Sequence, residues 1–266
     1  MTAPPASSSS RGSGLTYEFT DEHFATLREL VTSVTGVQLP DMKRQLAYSR
    51  FAKRMRQLGV TSFDDYIARL QDPATRELEA LPSIITTNVT SFLREPHHFE
   101  HLRNVVLPRL RGRSRIRIWS AACSTGEEPY SIASVVHEVL GAASGRVAGD
   151  VKILATDIDR DALDRAAAGI YRRDKVPENF AGRWMEPVQG EGDQLRVRPE
   201  LRRLISFKAL NLLRDWPMSG PFDVIFCRNV VIYFDLDTKS ALFTRQAALQ
   251  RPGDTLMIGH SEQLTG

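Results

Sequence analysis

The sequence predicts a two-part chain: a small all-α domain, then an α/β domain whose parallel sheet is wound on both faces and carries a small antiparallel insert. Three observations carry this prediction. Between residues 20 and 88 the apolar positions recur at helical spacing. After the basic break Arg111-Gly112-Arg113, β-prone runs alternate with helical patterns, the signature of a parallel sheet. The third is the run Ile116-Arg117-Ile118-Trp119-Ser120-Ala121-Ala122-Cys123-Ser124-Thr125-Gly126-Glu127-Glu128-Pro129. There an apolar strand collapses into small residues, reaches one glycine and opens a helix, as in the phosphate-cradling loops of nucleotide folds. The expected boundaries are a disordered tail at 1–14, a helical domain at 15–90, a connector and linking helix at 91–112, and the α/β domain at 113–266 with its insert at about 171–203.

Taken in order, the Ala-, Pro- and Ser-rich tail cannot bury enough surface to order itself. The first helix follows, with Phe24, Leu27, Leu30, Val31 and Val34 as its apolar stripe, Thr20 or Asp21 as its cap and Gly36 as its stop. A second helix is expected from near Pro40, burying Leu46, Ala47, Phe51, Met55 and Leu58 and ending at Gly59. Its other face carries Lys43, Arg44, Arg50, Lys53, Arg54 and Arg56, which is either a solvated surface or a docking surface for an acidic partner. Ser62 caps a third helix, with Asp65 three residues on, that buries Phe63, Tyr66, Ile67 and Leu70. Residues 74–86 read as helical again, with Pro82 near the end.

A polar connector, Thr86 to Glu95, leads to a helix starting at Pro96. His97 and His101 stand four apart, a spacing that can bind zinc, but no third ligand accompanies them and a solvated or capping role is expected. Strands are then expected at 116–120, 151–156, 204–209, 222–227 and 255–259, with helices at 127–140, 160–168 and 236–249. Ligands of such sheets sit beyond the carboxyl ends of the strands. Glu127, Glu128, Asp157, Asn211, Arg228 and Asn229 all fall at such ends. Within the insert, Trp184–Val188 and Gln194–Arg198 flank a Gly-rich turn and read as a hairpin, whose edge can accept a peptide by strand addition.

Composition narrows the classes. With 266 residues, of which 42% are hydrophobic and 25% charged, the chain can build a sizeable core. Its two cysteines, Cys123 and Cys227, lie far apart, so neither a disulfide framework nor a zinc site is indicated. No signal-peptide pattern and no apolar run near the ~20 residues of a membrane span is visible, and a cytoplasmic location is expected.

The chemistry turns on charge. Asp157 ends the second strand, where an acid accepts hydrogen bonds from ribose hydroxyls; this leaves NAD and S-adenosylmethionine both open. The loop has no G-x-G-x-x-G for a pyrophosphate, and two acids there suit a cationic ligand better. Ser124-x-x-Glu127 and Thr125-x-x-Glu128 both match a capping box, so one glutamate is assigned to the cap and Glu128 to the ligand.

Four stretches now resemble the CheR family of chemotaxis receptor glutamate methyltransferases. They are Thr87-Asn88-x-Thr90-x-Phe92-x-Arg94-Glu95, Ser120 to Ser131, Asp157-Ile158-Asp159, and Phe226-Cys227-Arg228-Asn229-x-x-Ile232-Tyr233-Phe234. The resemblance runs from about residue 20 to the end. It implies a Rossmann-like S-adenosylmethionine-dependent methyltransferase fold, and esterification of receptor glutamates with S-adenosylhomocysteine as the other product. It also implies that Asn88, Thr90, Arg94, Glu128, Asp157, Asn211, Leu212, Arg228 and Asn229 contact the cofactor, while Arg94 and Tyr233 border the transferred methyl. No metal is called for. The implied partner is the glutamate-rich helical region of a receptor, docked by Lys43–Arg56, with a receptor tail peptide at the β insert left open. The chain stops after His260-Ser261-Glu262-Gln263-Leu264-Thr265-Gly266, where the family is expected to continue into a closing strand pair. A nucleic-acid partner is not expected, because Arg228-Asn229-Val230-Val231 stands where a base-clamping Asn- or Asp-Pro-Pro-aromatic motif would be.

Overall fold

The computed structural model describes residues 16–141, 147 and 149–264; the expected tail at 1–14 lies outside the described residues. Four helices open the chain: α1 (Asp21–Thr35), α2 (Arg44–Leu58), α3 (Phe63–Gln71) and α4 (Leu81–Ile85). Thr20 caps α1 by accepting from the His23 amide, and Gly36 ends it in the left-handed conformation. Ser62 caps α3 in the same manner through the Asp65 amide. Phe24, Leu27, Val31, Ala47, Phe51, Met55, Phe63, Tyr66, Leu70 and Leu81 pack into a core of their own.

Three expectations for this region need correction. A 3-10 turn at Asp41–Lys43 precedes α2, which starts only at Arg44. Leu46 is 43% exposed, because the buried stripe follows Ala47, Phe51 and Met55 and leaves Leu46 on its flank. Pro82 opens α4 instead of closing the preceding helical run, at a position where its missing N–H costs nothing.

Helices α5 (Pro96–His101) and α6 (Leu107–Leu110), joined by a π turn, link to the α/β part. There β1 (Arg115–Ala121), α7 (Glu127–Leu140), β2 (Asp150–Asp157) and α8 (Arg160–Ala168) follow in order. The insert holds β3 (Ile170–Arg172), α9 (Glu178–Trp184), β4 (Met185–Pro187), β5 (Gln194–Val197) and α10 (Pro199–Arg202). The chain returns through β6 (Ile205–Ala209), β7 (Val224–Cys227), α11 (Leu236–Ala247) and β8 (Thr255–Ile258). The large sheet has the order β6-β2-β1-β7-β8, every pairing parallel, and the small one the order β3-β5-β4, antiparallel.

Alternation along β1 and β7 builds the layers. Ile116, Ile118, Val224 and Phe226 enter the core under α5–α7, whereas Trp119, Ala121, Ile225 and Cys227 enter the core on the other face. Trp119 is fully buried and satisfies its indole by donating to Thr156 Oγ1 at 2.9 Å. Strand order reverses beside β1: the chain moves out to β2 and β6, then returns to β7. Loops after these strands leave the same edge of the sheet, since Ala121 is level with Thr156 and with Cys227. A crevice at such a switch point is where open α/β sheets bind ligands.

The helical core closes that crevice from outside. Asp159, fully buried at the N-cap of α8, accepts from Ser83 Oγ at 2.5 Å and from Asn88 Nδ2 at 2.6 Å. Asn211 Nδ2 donates to Val34 O at 2.8 Å, and the Gln38 amide to Tyr233 O at 3.3 Å.

Candidate functional site

One cavity opens at the switch point between the helical core and the carboxyl ends of the strands. Asn88, Thr90, Arg94, Glu128, Asp157, Asn211, Leu212, Arg228, Asn229 and Tyr233 all line it, so every site residue expected from the sequence is brought to one place. Lys43 and Leu46 of the helical part stand at the same wall.

The loop after β1 makes the floor. Ala122 and Ser124 adopt φ of 62° and 50°, and Gly126 adopts 98° as the N-cap of α7. A Cβ on Gly126 would lie 2.8 Å from both Ala166 Cβ and the Tyr171 hydroxyl, so only glycine lets this turn sit against α8. Gly126 therefore occupies the position that the capping-box reading gave to a side chain. No side chain caps α7, and neither glutamate is its cap. Glu127 accepts from Thr125 Oγ1 at 2.7 Å, and burial raises its pKa.

Glu128 faces the cavity but its charge is shared. Ser120 Oγ donates to one carboxylate oxygen at 2.7 Å and Arg228 Nη1 to the other at 2.9 Å. Arg228, its side chain 1% exposed, also reaches Glu95 at 3.1 Å and donates to Arg94 O at 2.5 Å. Burial pushes the Glu128 pKa up, against the Arg228 charge. The loop is thus not simply an anionic pocket: one of its acids is neutralised from β7.

Asp157 is the second cavity acid. Its carboxylate accepts from the Ser124 amide at 2.7 Å and the Asp159 amide at 2.9 Å, fixing the two loops relative to each other. Burial raises its pKa, and those backbone bonds oppose the rise. Each oxygen keeps a lone pair, the acceptor capacity a ribose needs.

Asn88 has its amide NH2 on Asp159, which leaves its carbonyl oxygen for a ligand. Arg94 donates to Val89 O at 2.8 Å, and the Lys43 ammonium lies 5.5 Å from the centre of the Tyr233 ring. Sequence reasoning quoted Glu95, Asp159 and Glu262 without assigning them to the site. Glu95 accepts from Asn229, His260 and Arg228, which outweigh burial and lower its pKa to about 2. Glu95, just before α5, follows no strand, and following a strand end was the signal that found the others. The His97 and His98 rings lie 4.2 Å apart, tilted by 49°, and together with Glu95 they bring three ligand atoms within 4.8 Å. Glu95 is already committed to Arg228, and the expected His97–His101 pair is not in that cluster.

Residues 88–266 match the family model described as CheR methyltransferase, SAM binding domain, and residues 22–86 match CheR methyltransferase, all-alpha domain. The chain belongs to the CheR methyltransferase family. This methyltransferase is 42% identical over 253 residues to chemotaxis protein methyltransferase 2 of Pseudomonas aeruginosa, covering 92% of this chain and 88% of that protein. It is 44% identical over 246 residues to the probable chemotaxis protein methyltransferase of Rhizobium etli, with 89% and 91% coverage. With the chemotaxis protein methyltransferase of Escherichia coli the identity is 40% over 252 residues, at 92% and 85% coverage. The methyltransferase uses S-adenosylmethionine, and its cavity fits that cofactor. Asp157 offers acceptors for a ribose, and the buried Ser124 Oγ on the cavity wall has no hydrogen-bond partner among the described residues. No helix among the described residues is long and apolar enough to cross a membrane.

Proposed function

We propose that this methyltransferase esterifies glutamate side chains on the helical cytoplasmic region of chemotaxis receptors. The observation that carries the reading is the convergence of Arg94, Tyr233 and Lys43 on the wall of the cavity that also holds Asp157 and Glu128. Cations and an aromatic ring thus stand beside the acceptors suited to the cofactor. When bound, the cofactor would supply an electrophilic methyl on a sulfonium, with the C–S electron pair leaving on a neutral thioether as the carboxylate oxygen takes up the methyl.

The chain's own part is alignment. A glutamate carboxylate is already ionised near pH 7, so no residue has to remove a proton. In this reading Asp157 and Asn88 hold the ribose side, Thr90, Asn211 and Leu212 the adenine side, and Glu128 with Arg228 and Asn229 the amino-acid end. Arg94 turns the incoming carboxylate toward the methyl, and Tyr233 walls the methyl pocket. Holding two reactants in line can supply roughly 7–11 kcal/mol of the barrier. Arg94→Ala is expected to lower kcat about 100-fold in methyl transfer to receptor membranes while the chain stays folded. Unchanged transfer would remove Arg94 from this role.

The boundaries at 15–90, 91–112 and 113–266 belong to the same reading, as does docking through Lys43 and the exposed cations of α2. A receptor tail would add to β4, an edge of the small sheet.

A further inference from the structure

The segment after β8 carries a carboxylate that organises the site without lining it. Glu262 is 7% exposed and accepts four backbone N–H groups. Oε2 takes the amides of Asn229 at 2.9 Å and Gly259 at 2.7 Å. Oε1 takes those of Val230 at 2.9 Å and Val231 at 3.0 Å. Three successive amides of the loop leaving β7 therefore converge on one anion, which joins that loop to the end of β8. An unpaired backbone N–H buried in this way would be costly, so the loop's path is tied to this carboxylate.

That loop is the one on which Arg228, Asn229 and Tyr233 are placed. Asn229 sits at φ 58°, in the left-handed region that asparagine adopts more readily than most side chains, and is held by bonds from both ends. Its backbone amide is on Glu262, and its side-chain amide donates to Glu95 at 3.1 Å. Gly259 shows how close the junction is. A Cβ there would lie 2.7 Å from Asn229 Nδ2 and 2.8 Å from Glu262 Oε2.

We propose that Glu262 is a positioning residue for cofactor binding: it sets the turn that aims Asn229 and Tyr233 at the cavity, and Gly259 leaves room for it. The inference rests on the site assignment made above. Glu262→Gln keeps shape but replaces one acceptor oxygen by an NH2 group, which turns two of the four contacts into donor-against-donor pairs. A merely structural role would lower the unfolding temperature and leave the dissociation constant of folded protein unchanged.

The test is calorimetric titration of folded, full-length protein with S-adenosylhomocysteine, using wild type, Glu262→Gln, Gly259→Ala and Asp157→Asn. Glu262→Gln and Gly259→Ala are both expected to weaken binding about tenfold or more, as a shift of about 1 Å in a supporting shell does. If Glu262→Gln does not fold, Gly259→Ala carries the measurement, because it displaces the same junction without removing the charge. Binding within twofold of wild type by the folded variants, with Asp157→Asn weakened, overturns the role of Glu262 and leaves the site standing. If Asp157→Asn also binds like wild type, the site assignment and the inference fall together.

Discussion

Arg228 is the residue through which most of the site's charge is balanced. Buried almost completely, it holds Glu128 on α7 and Glu95 before α5, and its ring neighbour is Phe99, 5.6 Å from the guanidinium carbon. Replacing it by Met would leave two carboxylates at 10–13% exposure without their cation. The expected cost is about 3–5 kcal/mol, read as a lower urea midpoint with an unchanged slope. A midpoint like that of wild type would show that solvent screens both acids. Asp157 gives the pH dependence. Its pKa is raised by burial, and donors from a ribose would favour the ionised form, so binding releases a proton wherever Asp157 is partly protonated. Affinity for S-adenosylhomocysteine should fall as pH drops from 7 toward the region above the ordinary carboxylate value of ~4. The binding enthalpy there should depend on the buffer's ionisation heat. Flat affinity with a buffer-independent enthalpy would contradict ribose binding by Asp157. At this scale the sequence was informative about position and misleading about charge. The acids at 127 and 128 were legible, and Glu127 pairs locally with Thr125, but the partner of Glu128 is 100 positions away and depends on how the chain folds back.

Helix α2 shows what a pattern of like charges hides. Six cations precede or lie along it, but Arg44 pairs with Asp21, Arg50 donates to Thr86 O and Thr87 Oγ1, and Arg54 grips the buried Glu77 at 2.8 and 2.9 Å. These three bind the helical domain together. Lys53 and Arg56 are exposed, and Lys43 stands at the cavity. The helix therefore predicts a split. Arg54→Ala should cost about 3 kcal/mol in urea unfolding, because the buried Glu77 carboxylate keeps only the Tyr66 hydroxyl and loses its cation. Neutralising Lys43, Lys53 and Arg56 should leave stability unchanged and raise the KM for receptor several-fold at low salt, with the effect fading as salt is added. Equal effects of both sets on stability, or none on KM, would contradict the division. Periodicity was enough to find α1 and α3 with their caps. It placed Leu46 on the buried face because Leu46 is apolar and lies only one residue, about 100° around the helix, from the Ala47–Phe51–Met55 stripe, and it did not show that a new helix opens at Pro82.

In the whole molecule, the two cores meet across the cavity, and the latches at Asp159, Asn211 and Tyr233 O join them beside its lining residues. The alternation of strands and helices made the wound sheet legible, and the strand ends located the cavity. The strand order and the carboxylate junction at Glu262 were not legible. Both depend on contacts between segments far apart in the chain, which local pattern does not encode. The central claim is that this cavity delivers a methyl to a glutamate carboxylate. It is tested most directly by incubating the protein and methyl-labelled S-adenosylmethionine with membranes bearing chemotaxis receptors, then treating the labelled receptor with mild alkali. An ester made at a glutamate would release its label as volatile methanol, and receptor whose candidate glutamates are changed to alanine would take up none. Label that survives alkali, or equal label on the alanine-substituted receptor, would contradict the account.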